Sequence, residues 1–155
     1  MDTGTAMQTS PQTPWRSELN FDSSAFVAER ELIDALEKRS SPIRCNENRV
    51  LFSQGESPKG LYLLKSGKAL LTVQSPTGGI VMTVTAFAGS LLGLPALIGN
   101  EPYTLTAQAE KDSELAFITR EDFSALMLSS PSLAVSVLRV LAAEVRTARH
   151  AISEF

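Results

Sequence analysis

The sequence predicts a mainly β protein with flanking helices: a β jelly roll with one helix before it and a long helix after it. Three observations carry that expectation. Between residues 50 and 119, short apolar runs alternate with turn residues. No helical pattern of about ten residues separates the runs, which argues for an antiparallel sandwich and against βαβ units. The apolar period then changes, and residues 131–153 carry a helical stripe.

Residues 1–22 are rich in Thr, Ser, Gln and Pro, with Trp15, Leu19 and Phe21 as the large apolar groups. Such a composition does not offset its ordering entropy, so a flexible tail is expected, from which Trp15 could dock on the domain or a partner. The domain itself is expected over 23–155. From Ser24 to Lys38, Phe26, Ile33 and Leu36 fall on one side of a helix, with Ser24 as its N-cap. Ser40-Ser41-Pro42 reads as a break. Strands are expected at 50–52, 61–66, 68–74, 80–87, 105–109 and 114–119, separated by Gly55, Pro58 and Gly60, by Ser66-Gly67, and by Pro76-Thr77-Gly78-Gly79. Thr119 then caps a short helix, with Asp122 three residues on and Phe123, Leu126 and Met127 as its apolar side. Ser130-Pro131 opens the longest helix, running over 131–153.

In that helix Ala134, Leu138, Leu141, Val145, Ala148 and Ile152 are spaced by steps of four and three, a heptad seam. A second stripe, Leu133, Val137 and Val140, runs beside it. Docking on one sheet needs a single stripe, so the seam predicts a homodimer, the alternative being a helix packed wholly into its own core. Arg139, Arg146, Arg149 and His150 fall mainly on the remaining face, where solvation is the expected fate.

Composition excludes several classes of function. The net charge of -3 leaves no global positive field for a nucleic-acid backbone. Cys45 is the one cysteine, which excludes an intrachain disulfide framework and a multi-thiolate metal site. It is expected to be a packing residue in a reducing cytoplasm. There is neither a signal peptide nor a run of 18 apolar residues, so no membrane role is expected. His150 is the one histidine, and no Gly-x-Ser-x-Gly, GxxxxGK[ST] or GxGxxG occurs, so neither an enzyme nor a nucleotide-triphosphate or dinucleotide site is expected. Cys45 and His150 are too isolated in sequence to argue for a metal or haem, and none is expected.

Gly55-Glu56, Gly60, Leu61-Tyr62, Gly67, the glycine turn, Gly89-Ser90-Leu91-Leu92-Gly93 and the long last helix together resemble the cyclic-nucleotide-binding domain of catabolite-activator-type (Crp/Fnr) regulators. The resemblance covers roughly residues 24–153. It implies a β jelly roll flanked by helices, with the long helix forming a parallel dimer. It also implies a phosphate-binding cassette at Gly93, Leu94, Pro95 and Ala96 through Tyr103, Thr104, Leu105 and Thr106, where Pro95 could open a short helix.

Gly93, Ala96 and Thr104 match the family pattern. Leu94 stands where its ribose-binding glutamate belongs, and Tyr103 where its phosphate-binding arginine belongs. Losing one partner of a desolvated charge pair costs about 2–5 kcal/mol. No Lys or Arg lies between Lys68 and Lys111, while Glu101 adds an anion nearby. The expectation is a degenerate phosphate site with no bound cofactor: an apolar pocket of Leu94, Ala96, Leu97, Ile98, Tyr103 and Leu105 with one hydroxyl, suited to a small hydrophobic effector or filled by side chains. The chain ends at Phe155 with no helix-turn-helix, so a regulatory module acting through a partner protein is expected rather than a direct DNA binder. Two alternatives stand beside it. One is a true receptor for cyclic AMP or cyclic GMP that uses backbone amides and Arg139 or Arg146; the other is a ligand-free interaction scaffold.

Overall fold

The computed structural model of the chain describes residues 26–153, with side chains as far as residue 146. The tail over 1–22, Trp15 and the Ser24 cap lie outside the described residues, and Ala148, Arg149, His150 and Ile152 are described in backbone alone. The elements in order are α1 (Arg30–Glu37), β1 (Ser41–Arg44), β2 (Arg49–Phe52), β3 (Gly60–Ser66), β4 (Ala69–Gln74), β5 (Ile80–Ala86), β6 (Leu91–Leu92), α2 (Leu94–Gly99), β7 (Thr106–Ala109), β8 (Glu114–Thr119), α3 (Arg120–Ser129) and α4 (Pro131–Ser153). The strands form two antiparallel four-stranded sheets, ordered β1-β8-β3-β6 and β2-β7-β4-β5. This is the expected jelly roll with helices around it.

The first sheet is covered on both faces. Along β3 and β8, Leu61 pairs with Ile118 and Leu63 with Ala116, and these four pack against the helices. The alternate residues Tyr62, Leu64 and Leu115 turn toward the second sheet. Alternation of side chains across a strand therefore splits one apolar run between two cores, which is why β3 reads as nearly continuous hydrophobicity. Gly60 starts β3 because a Cβ there would collide with the Ile118 carbonyl and the Phe117 ring. The second sheet has one wet face. Phe52, Ala69, Leu71, Val84 and Ala107 point inward, while Leu70, Thr83 and Gln108 face out or sit at intermediate depth.

The helical layer buries Leu32 and Leu36 of α1, Phe123 and Leu126 of α3, and Leu133, Val137 and Val140 of α4. Helix α4 begins at Pro131 as the proline at a first helical position predicts. Thr119 caps α3 by accepting a hydrogen bond from the Asp122 amide at 3.1 Å.

Three local expectations are corrected. Ser41-Pro42 is no break but the start of β1. Proline is tolerated there because β1 is an edge strand with one side unpaired. Helix α1 starts at Arg30, because Val27 bridges Ser90 and the Ala28 amide donates to the Gly89 carbonyl, holding that stretch extended. Phe26 consequently lies outside the helix, and Leu32 takes the apolar position beside Leu36. Leu91–Leu92 forms a short strand on β3, too brief for its alternation to show in the sequence.

Replacing Thr119 by Ala removes the α3 cap and should cost about 1 kcal/mol of stability. A urea melt should show the lower midpoint, with Thr119→Ser close to the parent.

Candidate functional site

The cassette segment leaves β6 through Gly93, whose φ of 93° and ψ of 11° lie in the left-handed region. A Cβ at this position would come within 3.0 Å of Tyr103 Cε1. The left-handed turn sends the residues on its two sides to different cores. Leu92 faces the second sheet, and Leu94 points into the helical core, fully buried. Helix α2 then carries Pro95 in its first turn, and the chain returns toward the sheets through Tyr103, Thr104 and Leu105.

Tyr103 is the pivot of this return. Its ring stacks on Phe52 with centroids 3.8 Å apart and planes 14° from parallel. Its amide donates to the Glu56 carbonyl and its carbonyl accepts from the Gly55 amide, both at 2.8 Å. The Gly55-Glu56 turn is itself held by the Glu56 carboxylate, which accepts from the Ser53 amide at 2.9 Å. The motif that stood out in the sequence thus fixes where the cassette ends. Burial pushes the Tyr103 hydroxyl above the usual tyrosine range, opposed by a hydrogen bond from the Lys59 backbone.

A cavity of about 320 Å³ lies between the sheets at this point. Phe52, Leu71, Val73 and Met82 form its sheet wall; Gly93, Pro95, Ala96, Tyr103, Thr104 and Leu105 form the cassette side. Phe26 closes one side, and Glu144 and Val145 of α4 lie across it. Of the six cassette residues singled out from the sequence, Gly93, Pro95, Ala96, Tyr103 and Thr104 share this wall. Leu94 does not, because Gly93 rotates it to the other core. Leu97 is buried with Leu94, and Ile98 is 48% exposed, so neither contributes to the pocket as expected.

Among the described residues, no Lys or Arg belongs to the cavity wall, and Glu101 is exposed away from it. Arg139 pairs with Glu29 at 3.4 Å on the outer side of the helix, and Arg146 is exposed and absent from the wall. The carboxyl of Glu144 is held there instead. Its Oε2 is sealed from solvent and has no hydrogen-bond partner among the described residues. Burial alone pushes its pKa up to about 8. Sequence reasoning missed Glu144, since an acid on a helix carrying several charges gives no sign of facing inward until the helix is placed.

The predicted seam of α4 divides in the same way. Leu138 is 61% and Val145 50% exposed, Ala134 is half-buried, and Leu141 packs partly against the helical core. Cys45 is buried in the core between the sheets. Among the described residues, no three His, Cys, Asp or Glu side chains gather to hold a metal ion. Nor is any single helix there long and apolar enough to cross a membrane.

Residues 42–130, more than half of the chain, match the family model described as the cyclic nucleotide-binding domain. A cyclic AMP receptor protein from Thermus thermophilus is 32% identical over 103 residues, which is 66% of this chain and 47% of that protein. A lysophospholipase, nte1, from Neurospora crassa is 24% identical over 104 residues, 67% of this chain and 7% of that protein. The chain thus spans less than half the length of these curated relatives. Among solved structures, the catabolite activator protein of Thermus thermophilus superposes with a TM-score of 0.71 at 26% identity, covering 81% of this chain and 59% of that one.

The folded state favours the protonated form of Glu144. Stability should therefore be greatest below the ordinary glutamate range and fall as pH rises toward about 8. In Glu144→Gln this part of the pH dependence should vanish, as read from thermal melts between pH 5 and about 8.5.

Proposed function

Because the chain belongs to the cyclic nucleotide-binding domain family, we propose that it is a non-enzymatic regulatory sensor module whose cassette no longer holds a cyclic phosphate and whose pocket serves a small, largely apolar effector. The observation that carries this reading is the cavity wall, whose described residues include no cationic side chain and do include the carboxyl of Glu144, with its Oε2 shielded. A cyclic phosphate placed there would lose the charge-assisted pair that an arginine provides and would meet Glu144. The lost pair alone costs about 2–5 kcal/mol, or roughly thirty- to several-thousand-fold in affinity. An unfilled apolar hollow favours an effector over a ligand-free scaffold, because cores otherwise close-pack.

The matched segment is a small fraction of the lysophospholipase, and Cys45 is buried. Both suit a regulatory rather than catalytic role. Signalling through a homodimer, or through a partner protein, rests on α4. Its stripe of Leu133, Val137 and Val140 satisfies the core, while Leu138 and Val145 remain exposed on the seam with Ala134, Leu141 and Ala148. A cytoplasmic site of action, without direct DNA contact, accords with the net charge of -3.

Calorimetric titration with cyclic AMP and cyclic GMP at millimolar concentration should give no saturable binding. A micromolar Kd for either would overturn the reading of the pocket. Leu138→Asp, at an exposed position of the seam, should convert a dimer to monomers on a sizing column with unchanged circular dichroism. An elution volume equal to the parent's would remove the seam as the interface.

A further inference from the structure

We infer that the cavity takes a small apolar amine, its ammonium nitrogen seated on the Glu144 carboxylate and its apolar body against Phe52, Leu71 and Met82. The inference deepens the effector reading above and rests on it.

Glu144 lines the cavity, and in the unliganded chain its Oε2 is shielded and has no partner among the described residues, a state that costs free energy; rotation about χ3, which is soft in Glu, exchanges the two carboxyl oxygens and presents one to a ligand. A ligand that brings a donor to it removes that cost. Three classes can be compared. An anion finds no Lys or Arg among the described wall residues to offset its own desolvation, and is disfavoured. A neutral hydrocarbon gains the apolar contacts but leaves Glu144 unpaired. An ammonium gains both, and a charge-assisted bond in a dry site is roughly twice as strong as a neutral one. A volume of about 320 Å³ lies at the small end of ligand cavities, which limits the body to a ring or a short branched chain.

Proton balance gives the inference a signature. Among the described residues, Tyr103 is the other titratable side chain of the cavity; the β2, β4 and β5 walls, Phe26 and Val145 supply none. The carboxyl is mostly protonated at neutral pH in the unliganded chain. When an ammonium ion enters, the Glu144 proton leaves to solvent, the N–H groups donate to the carboxylate, and the cavity stays neutral overall. Affinity should therefore rise close to tenfold per pH unit on the acid side of about 8 and level off above it.

Calorimetry of the full chain with 2-phenylethylamine, 2-phenylethanol and phenylacetate at pH 6, 7 and 8 tests this. The expected result is that the amine binds most tightly, with proton release and the pH slope. The alcohol should bind more weakly and independently of pH, and the acid not at all. Glu144→Gln should keep the alcohol's affinity and lose about tenfold or more for the amine. The inference falls if the amine binds no better than the alcohol, if its affinity is flat with pH, if Glu144→Gln leaves it unchanged, or if the amine does not bind. In the first three cases a bound alcohol would leave the apolar effector site standing, whereas micromolar cyclic AMP binding would remove the site's reading itself.

Discussion

The architecture depends on one sheet serving two cores. Every second side chain of β3 and β8 goes to the helices, and the others go to the space between the sheets. The strands cannot shift by one residue without exchanging the two sets, so register is over-determined. Both the cavity and the helix that crosses it inherit their positions from this arrangement. The inter-sheet space remains unfilled near β6 and the cassette, where Gly93 turns the chain out of one core and Tyr103 brings it back to the edge of the other.

The strands, the Thr119 cap and the start of α4 at Pro131 were legible because each rests on a short-range signal: alternation, a side-chain oxygen three residues before an amide, a proline at a first turn. What escaped the sequence depends on partners far along the chain. Pro42 sits in a strand because β1 lies at an edge, which only the pairing with β8 reveals. Leu94 and Tyr103 both interrupt the family pattern as apolar replacements, yet they end in different cores. No periodicity argument crosses a left-handed glycine. Glu144 was invisible for a related reason, since the depth of a helical residue depends on how the helix is rolled against the sheet.

The charge logic of the site is consistent throughout. Where the resemblance implies a glutamate and an arginine around a phosphate, this chain has Leu94 buried away from the pocket and the Tyr103 ring against Phe52. The glycines and turns that position the cassette are retained, because they serve the backbone rather than the ligand. Arg139 and Arg146 of α4 stay outside, the first paired with Glu29. The turns that shape the cassette thus stand beside a wall whose described residues carry no cationic side chain.

Helix α4 bears three duties on one cylinder: Leu133, Val137 and Val140 anchor it, Glu144 and Val145 lie over the cavity, and Leu138 stands outward. Those six positions leave little room for silent variation. A saturating mutational scan would meet its narrowest tolerance here, and a single exchange in this segment would alter several traits together.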